Sequence, residues 1–294
     1  MKTKITDTSN AINAGGRAEK WWKGKPVKSR SSSWTRNQDD VDLQSILQRY
    51  NLKGFEFGNW LNNNERYDRV LACEDSLAEL SKIIGSKNLG IESLVGIAFG
   101  ARGMSKAAAH YEPGYNMINI TKMYGDGCLA HEYGHALDYN LGKYVDQNKR
   151  YNYLSGGRSV LKTLTGNQGG NLRNTMNELV DEASSMLNVR LDEYLDKKFG
   201  KNPKEENMRR AKAGMQRSFM YWRYRHEIFA RLFEQCCCYK LKQKQRSDMF
   251  LTSSWAFYTK SNAALFYWPE AEFKKLLPKM DKIIREVKKT LNSK

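Results

Sequence analysis

Residues 127–141 read GCLAHEYGHALDYNL, and the rest of the chain is placed outward from them. On a helix, positions i and i+4 share a face, so His131 and His135 point the same way with Glu132 beside the first. Leu129, Ala130, Ala136 and Leu137 can pack the helix while the His/Glu face stays open. Two imidazoles one turn apart suit a single zinc ion. The adjoining carboxylate can then take a proton as water attacks a carbonyl, and zinc makes this feasible by lowering the pKa of that water to roughly 7. The pattern is short, but two of only four histidines fall on it. Two plainer readings stand beside the catalytic one. The histidines could be core residues hydrogen-bonded without metal, or the site could bind zinc without catalysis.

A third protein ligand is required. Glu227, in YWRYRHEIFARLFE, is the better candidate. Ile228, Phe229, Leu232 and Phe233 would bury one side of its helix, and Glu227 and Glu234 share another. Glu178, in NELVDEASS, is the competitor. Asp138 follows His135 by three residues, and one continuous helix does not easily carry three ligands. Asp138 and Glu234 are therefore expected behind the ligands, orienting imidazoles. Tyr221 and Tyr224 lie within two turns of Glu227 and are candidates to stabilise the oxyanion. His226 points away from Glu227 on a helix, and His110 either binds substrate or, the favoured reading, is simply a strand residue.

Around the motif the pattern is mostly helical. Helices are expected over 39–50, 62–85, 174–195, 205–222, 227–241 and 269–291. FEFGNW at 55–60 reads as a short strand. AAAHYEPGYNMINITK at 107–122 holds two strand-like runs about Pro113–Gly114, a hairpin or bent strand pair. The fold class is therefore α+β, helix-dominated, with a small sheet preceding the motif helix. The polar stretch 142–174 is either a lid or a linker.

The 294 residues carry a net charge of +17. It lies at the ends: +7 over 1–36, −3 over 37–198, +8 over 199–250 and +5 over 251–294. Residues 1–36 lack periodicity and read as a disordered basic arm with Trp21, Trp22 and Trp34. Such ends suit a nucleic-acid partner, because Lys and Arg neutralise phosphates. Cysteines occur at 73, 128, 236, 237 and 238 without a CxxC pair, so thiolate zinc fingers and disulfide scaffolds are unsupported and a reducing compartment fits. No run approaches the ~18 apolar residues of a membrane span. The first residues lack the apolar core of a secretory signal.

Three blocks carry a family resemblance: GFEFGNWLNNNERYDRVLACEDSLAELSKIIG, GIAFGARGMSKAAAHYEPGYNMINITKMYGDGCLAHEYGHALD and YWRYRHEIFARLFE. They resemble the large polyvalent protein-associated domain of type 1, found in polyvalent proteins of bacteriophages and conjugative elements. The resemblance covers roughly 53–141 and 218–240. It implies a zincin-like metallopeptidase fold, and its E-x-F-A-R block is similar to the E-x-F-A-E helix of lethal-factor-like gluzincins, which makes Glu227 the third ligand. Cys128 and His226 depart from the family's usual residues. The expectation is a zinc metalloendopeptidase of a mobile element, acting on a protein or peptide in the bacterial cytoplasm or with the virion. It would comprise the arm 1–36, a metallopeptidase domain 37–250 and a basic helical extension 251–294. The alternative is a basic nucleic-acid-binding or virion-associated protein with a structural or vestigial zinc site.

Overall fold

The computed structural model describes residues 11–14, 42–58, 61, 63–102, 107–122, 124–145, 153–158 and 170–293. The expected basic arm lies outside them, apart from a four-residue strand, β1 (Ala11–Ala14). Strands β2 (Phe55–Gly58), β3 (Gly96–Phe99), β4 (Ala109–Glu112) and β5 (Met117–Ile120) complete a sheet of order β1-β2-β3-β5-β4. All pairs are parallel except β4–β5, the hairpin expected at Pro113–Gly114. The helices are α1 (Leu43–Tyr50), α2 (Asn63–Ile84), α3 (Leu129–Val145), α4 (Gly170–Phe199), α5 (Glu206–Arg223), α6 (Arg225–Gln243), α7 (Trp255–Lys260) and α8 (Glu270–Asn292). A 3-10 turn spans Asn262–Phe266. The described residues thus form a helix-dominated α+β structure. None of these helices is long and apolar enough to cross a membrane.

The described residues fall into two compact units. One takes residues 1–137, 233–255 and 284–294, the other 138–232 and 256–283. Helices α3, α6 and α8 carry residues of both units.

In the first unit the period-2 geometry of strands sorts the sheet's two faces. Phe55, Phe57 and Phe99 gather on one, with ring centroids 5.7–6.4 Å apart. The Arg66 guanidinium of α2 lies 5.5 Å from the Phe57 centroid. The other face combines a small apolar cluster, Ala98 and Met117 with Ala101, with polar groups. Arg102 donates to both oxygens of Glu56 (2.6 and 2.9 Å) and to Glu112 (2.9 Å). His110 sits 2.9 Å from Glu112, so it braces a strand, as read from the sequence. In the second unit α4 packs with α5, and the Trp222 and Phe266 rings stack at 4.2 Å. Trp268 Nε1 donates to Ala183 O (3.1 Å).

Candidate metal centre

Helix α3 begins where a turn holds it. Gly127 has φ +89°, a left-handed value natural to glycine, and its N–H donates to Phe250 O (3.0 Å). Ala130 N donates to Leu251 O (2.9 Å), so the 250–251 carbonyls take N–H groups that a helix start leaves without intrahelical partners. That turn is built on Asp248, which accepts from Ser76 Oγ (2.9 Å), Phe250 N (3.1 Å) and Leu251 N (2.9 Å). Burial raises the Asp248 pKa, and these hydrogen bonds oppose the rise. Tyr133 is fully buried, donates to Leu89 O (2.9 Å) and packs its ring 6.2 Å from Phe233 of α6. The motif's intervening tyrosine therefore faces the core, which leaves the His/Glu face to the other side of the helix.

Helix α6 is anchored by its arginines. Arg225 donates to Ser155 O and to Asn177 Oδ1 (2.8 Å) and pairs with Asp181. Arg231 is completely buried between the rings of Trp222 and Trp268, 5.4 Å from each centroid. It donates to Glu227 O (3.1 Å), Phe266 O and Trp222 O. This arginine closes the E-x-F-A-R block. The sequence reading gave it no role, although a charge inside an apolar helix pattern is the signal that could have found it.

The two helices bring His131, His135 and Glu227 together. One ligand atom from each lies within 4.8 Å of the others. A tetrahedral zinc with bonds near 2.1 Å separates its donors by about 3.4 Å. Two nitrogens and one carboxylate oxygen are the donor set of a zinc site, and drawn in from within 4.8 Å to that spacing they could hold the ion and leave a fourth position to water or substrate. The histidine rings meet edge to face, 4.9 Å between centroids. Glu234 accepts from His131 Nδ1 (3.2 Å), which leaves Nε2 for the ion and fixes the tautomer. Glu132 is buried next to His131 on α3.

The other expected residues are distributed differently. Glu178 is exposed on α4, outside the group. Asp138 was expected behind an imidazole, but both its oxygens are taken by Ser155, from N and Oγ at 2.6 Å each. It orients the segment 153–158 and not a ligand. Burial raises its pKa, and the Ser155 hydrogen bonds pull it back. Tyr221 is half exposed at the end of α5. Tyr224 stacks on His226 at 5.8 Å, and His226 Nε2 lies 3.5 Å from Glu227 Oε1.

Tyr153 was missed, because it lies in the stretch read as a lid or linker. Its ring sits 5.8 Å from His226 and 5.2 Å from Tyr139. Burial raises its phenol pKa, and the charges of Asp138 and Glu227 add to the rise. It therefore keeps its proton beside a ligand carboxylate. Cys128, the departure next to the motif, is held as a thiol by burial and by the charges of Glu234 and Glu132.

Residues 213–291 match the family model of the large polyvalent protein-associated domain 1. This supports the family that the sequence resembles. The match runs from the middle of α5 to the end of α8 and includes Glu227, Arg231 and Glu234. It does not reach the HExxH helix or the first block of the resemblance. No curated protein and no solved structure matches the chain.

Proposed function

We propose that the chain is a zinc-dependent metalloendopeptidase with a zincin-like fold, a gluzincin of a phage or mobile element working in the bacterial cytoplasm or with the virion. One observation carries the reading: His131, His135 and Glu227 converge from two helices, beside the carboxylate of Glu132. A zinc ion held there would supply Lewis acidity and make water nucleophilic at neutral pH. Glu132 takes the proton from the attacking water and passes it to the leaving amine. Glu234 holds His131 in its tautomer through Nδ1. Tyr153 and Tyr224 each pack 5.8 Å from His226, whose Nε2 lies 3.5 Å from Glu227 Oε1, and they are proposed to donate to the carbonyl oxygen as charge develops on it. The substrate is a protein or peptide.

The test is elemental analysis of the purified chain, followed by cleavage of a peptide library. The wild type should carry about one zinc per chain. His135→Ala and Glu227→Ala should lose it. Glu132→Gln should keep the metal and lose cleavage by about 10²–10⁴-fold. Zinc absent from the reconstituted wild type, or full cleavage by Glu132→Gln, would overturn the proposal.

A further inference from the structure

The solvent face of α8 carries charge that the fold does not use. The helix buries Phe273, Leu276, Met280, Ile283, Ile284, Val287 and Leu291 on one side. The opposite side, at steps of three and four residues, presents Ala271, Lys275, Pro278, Lys282, Arg285 and Lys289, all exposed. Lys289 pairs with Glu286 at 2.7 Å. Lys275, Lys282 and Arg285 make no hydrogen bond or ion pair among the described residues. Three of the helix's four acids are paired with cations: Glu270 with Lys274 (3.0 Å), Glu272 with Arg190 and Glu286 with Lys289; the fourth, Asp281, adjoins Lys282 in sequence. Helix α5 gives the contrast. It is also basic, yet Arg209 and Arg210 both close on Glu206 at 2.7 and 2.9 Å.

We propose that this stripe is a binding surface for the phosphodiester backbone of a nucleic acid. At about 1.5 Å per residue, Lys275 to Lys289 spans about 21 Å, the length of roughly six phosphates on one strand of a duplex. A row of cations on a rigid rod complements a row of anions on another. The choice of nucleic acid over an anionic bilayer follows from the apolar residues. A helix that lies in a membrane surface inserts an apolar face, and the apolar face of α8 is already buried in the protein. The stripe offers only lysine and arginine as polar groups, and a row of such cations serves chiefly as phosphate contacts, so binding is expected to ignore sequence. The +17 net charge adds long-range attraction, but the stripe supplies the contacts.

The experiment measures binding of the full chain to a 30-base-pair duplex of arbitrary sequence across a salt series. Lys275→Gln, Lys282→Gln and Arg285→Gln are combined in one variant. Arg209→Gln, Arg210→Gln and Arg217→Gln, exposed on α5, are combined in a control of equal charge change. Glutamine keeps helix propensity. The log–log salt slope of the wild type should flatten by about 2.7 in the stripe variant, ~0.9 per lost phosphate contact, and hold in the control. Equal flattening in both would mean generic charge attraction and overturn the site. So would an unchanged slope in the stripe variant, or a wild type that does not bind the duplex. A stripe variant that loses binding to phosphatidylserine vesicles while keeping the duplex would assign the surface to membranes and overturn the nucleic-acid reading.

Discussion

Helices α6 and α8 both carry many charges and spend them in opposite ways. On α6, Arg225, Glu227, Arg231 and Glu234 are each at most 4% exposed. On α8, the cations of the stripe stand in solvent. Removing a charge from water costs several kcal/mol unless partners replace the hydration, so each α6 charge is tied to a defined geometry: carbonyls for the arginines, an imidazole for Glu234. An exposed lysine costs the fold almost nothing and is fixed by nothing within it. A buried charge therefore identifies its function by its neighbours. A solvent charge can do so only through its pattern.

The comparison breaks first at Arg231. Arg231→Leu should keep the apolar volume but orphan the carbonyls of Trp222 and Phe266. At roughly 1–3 kcal/mol for each buried acceptor left unsatisfied, the loss should be about 2–6 kcal/mol by urea denaturation of the metal-free chain. A loss below about 1 kcal/mol would mean that those carbonyls find water, and that α6 is not organised by its buried charges.

Next come the two carboxylates one heptad apart on α6. Glu227→Ala should weaken zinc binding by more than about 100-fold, measured by competition with a chelator. Glu234→Gln should weaken it by about 10–100-fold, the range for a group that orients a ligating histidine. Equal losses would place both carboxylates on the metal. No loss for Glu234→Gln would make its contact with His131 incidental.

Much of this contrast was visible before any coordinates. The HExxH spacing, the apolar runs and the Pro-Gly hairpin are local patterns, and α2, α3, α6, α8 and the β4–β5 pair follow from them. Glu227 was reachable because a second apolar-periodic helix offered it on its open side. What escaped the sequence depends on contacts far apart in the chain. Asp138 sits one turn from His135, yet it serves Ser155, seventeen residues on. Tyr153 comes to His226 across more than seventy residues. The parallel order β2-β3-β5 needs crossover connections that periodicity does not record. Arg231 looked like one more basic residue in a basic chain until Trp222 and Trp268 closed on it.

The smallest expected effect sharpens the comparison most. The triple glutamine variant of α8 should change the unfolding free energy by less than about 0.5 kcal/mol, as exposed substitutions away from packed features usually do. Its zinc affinity should equal that of the wild type, since Lys275, Lys282 and Arg285 make no hydrogen bond or ion pair among the described residues. Denaturation and chelator competition check this directly. If stability fell by 2 kcal/mol or more, the stripe would be supporting the fold and its charges would need no outside partner. If stability holds while duplex binding weakens, α8 separates folding from recognition on its two faces. Its buried face then answers to the core, and its open face answers to whatever polyanion the chain meets.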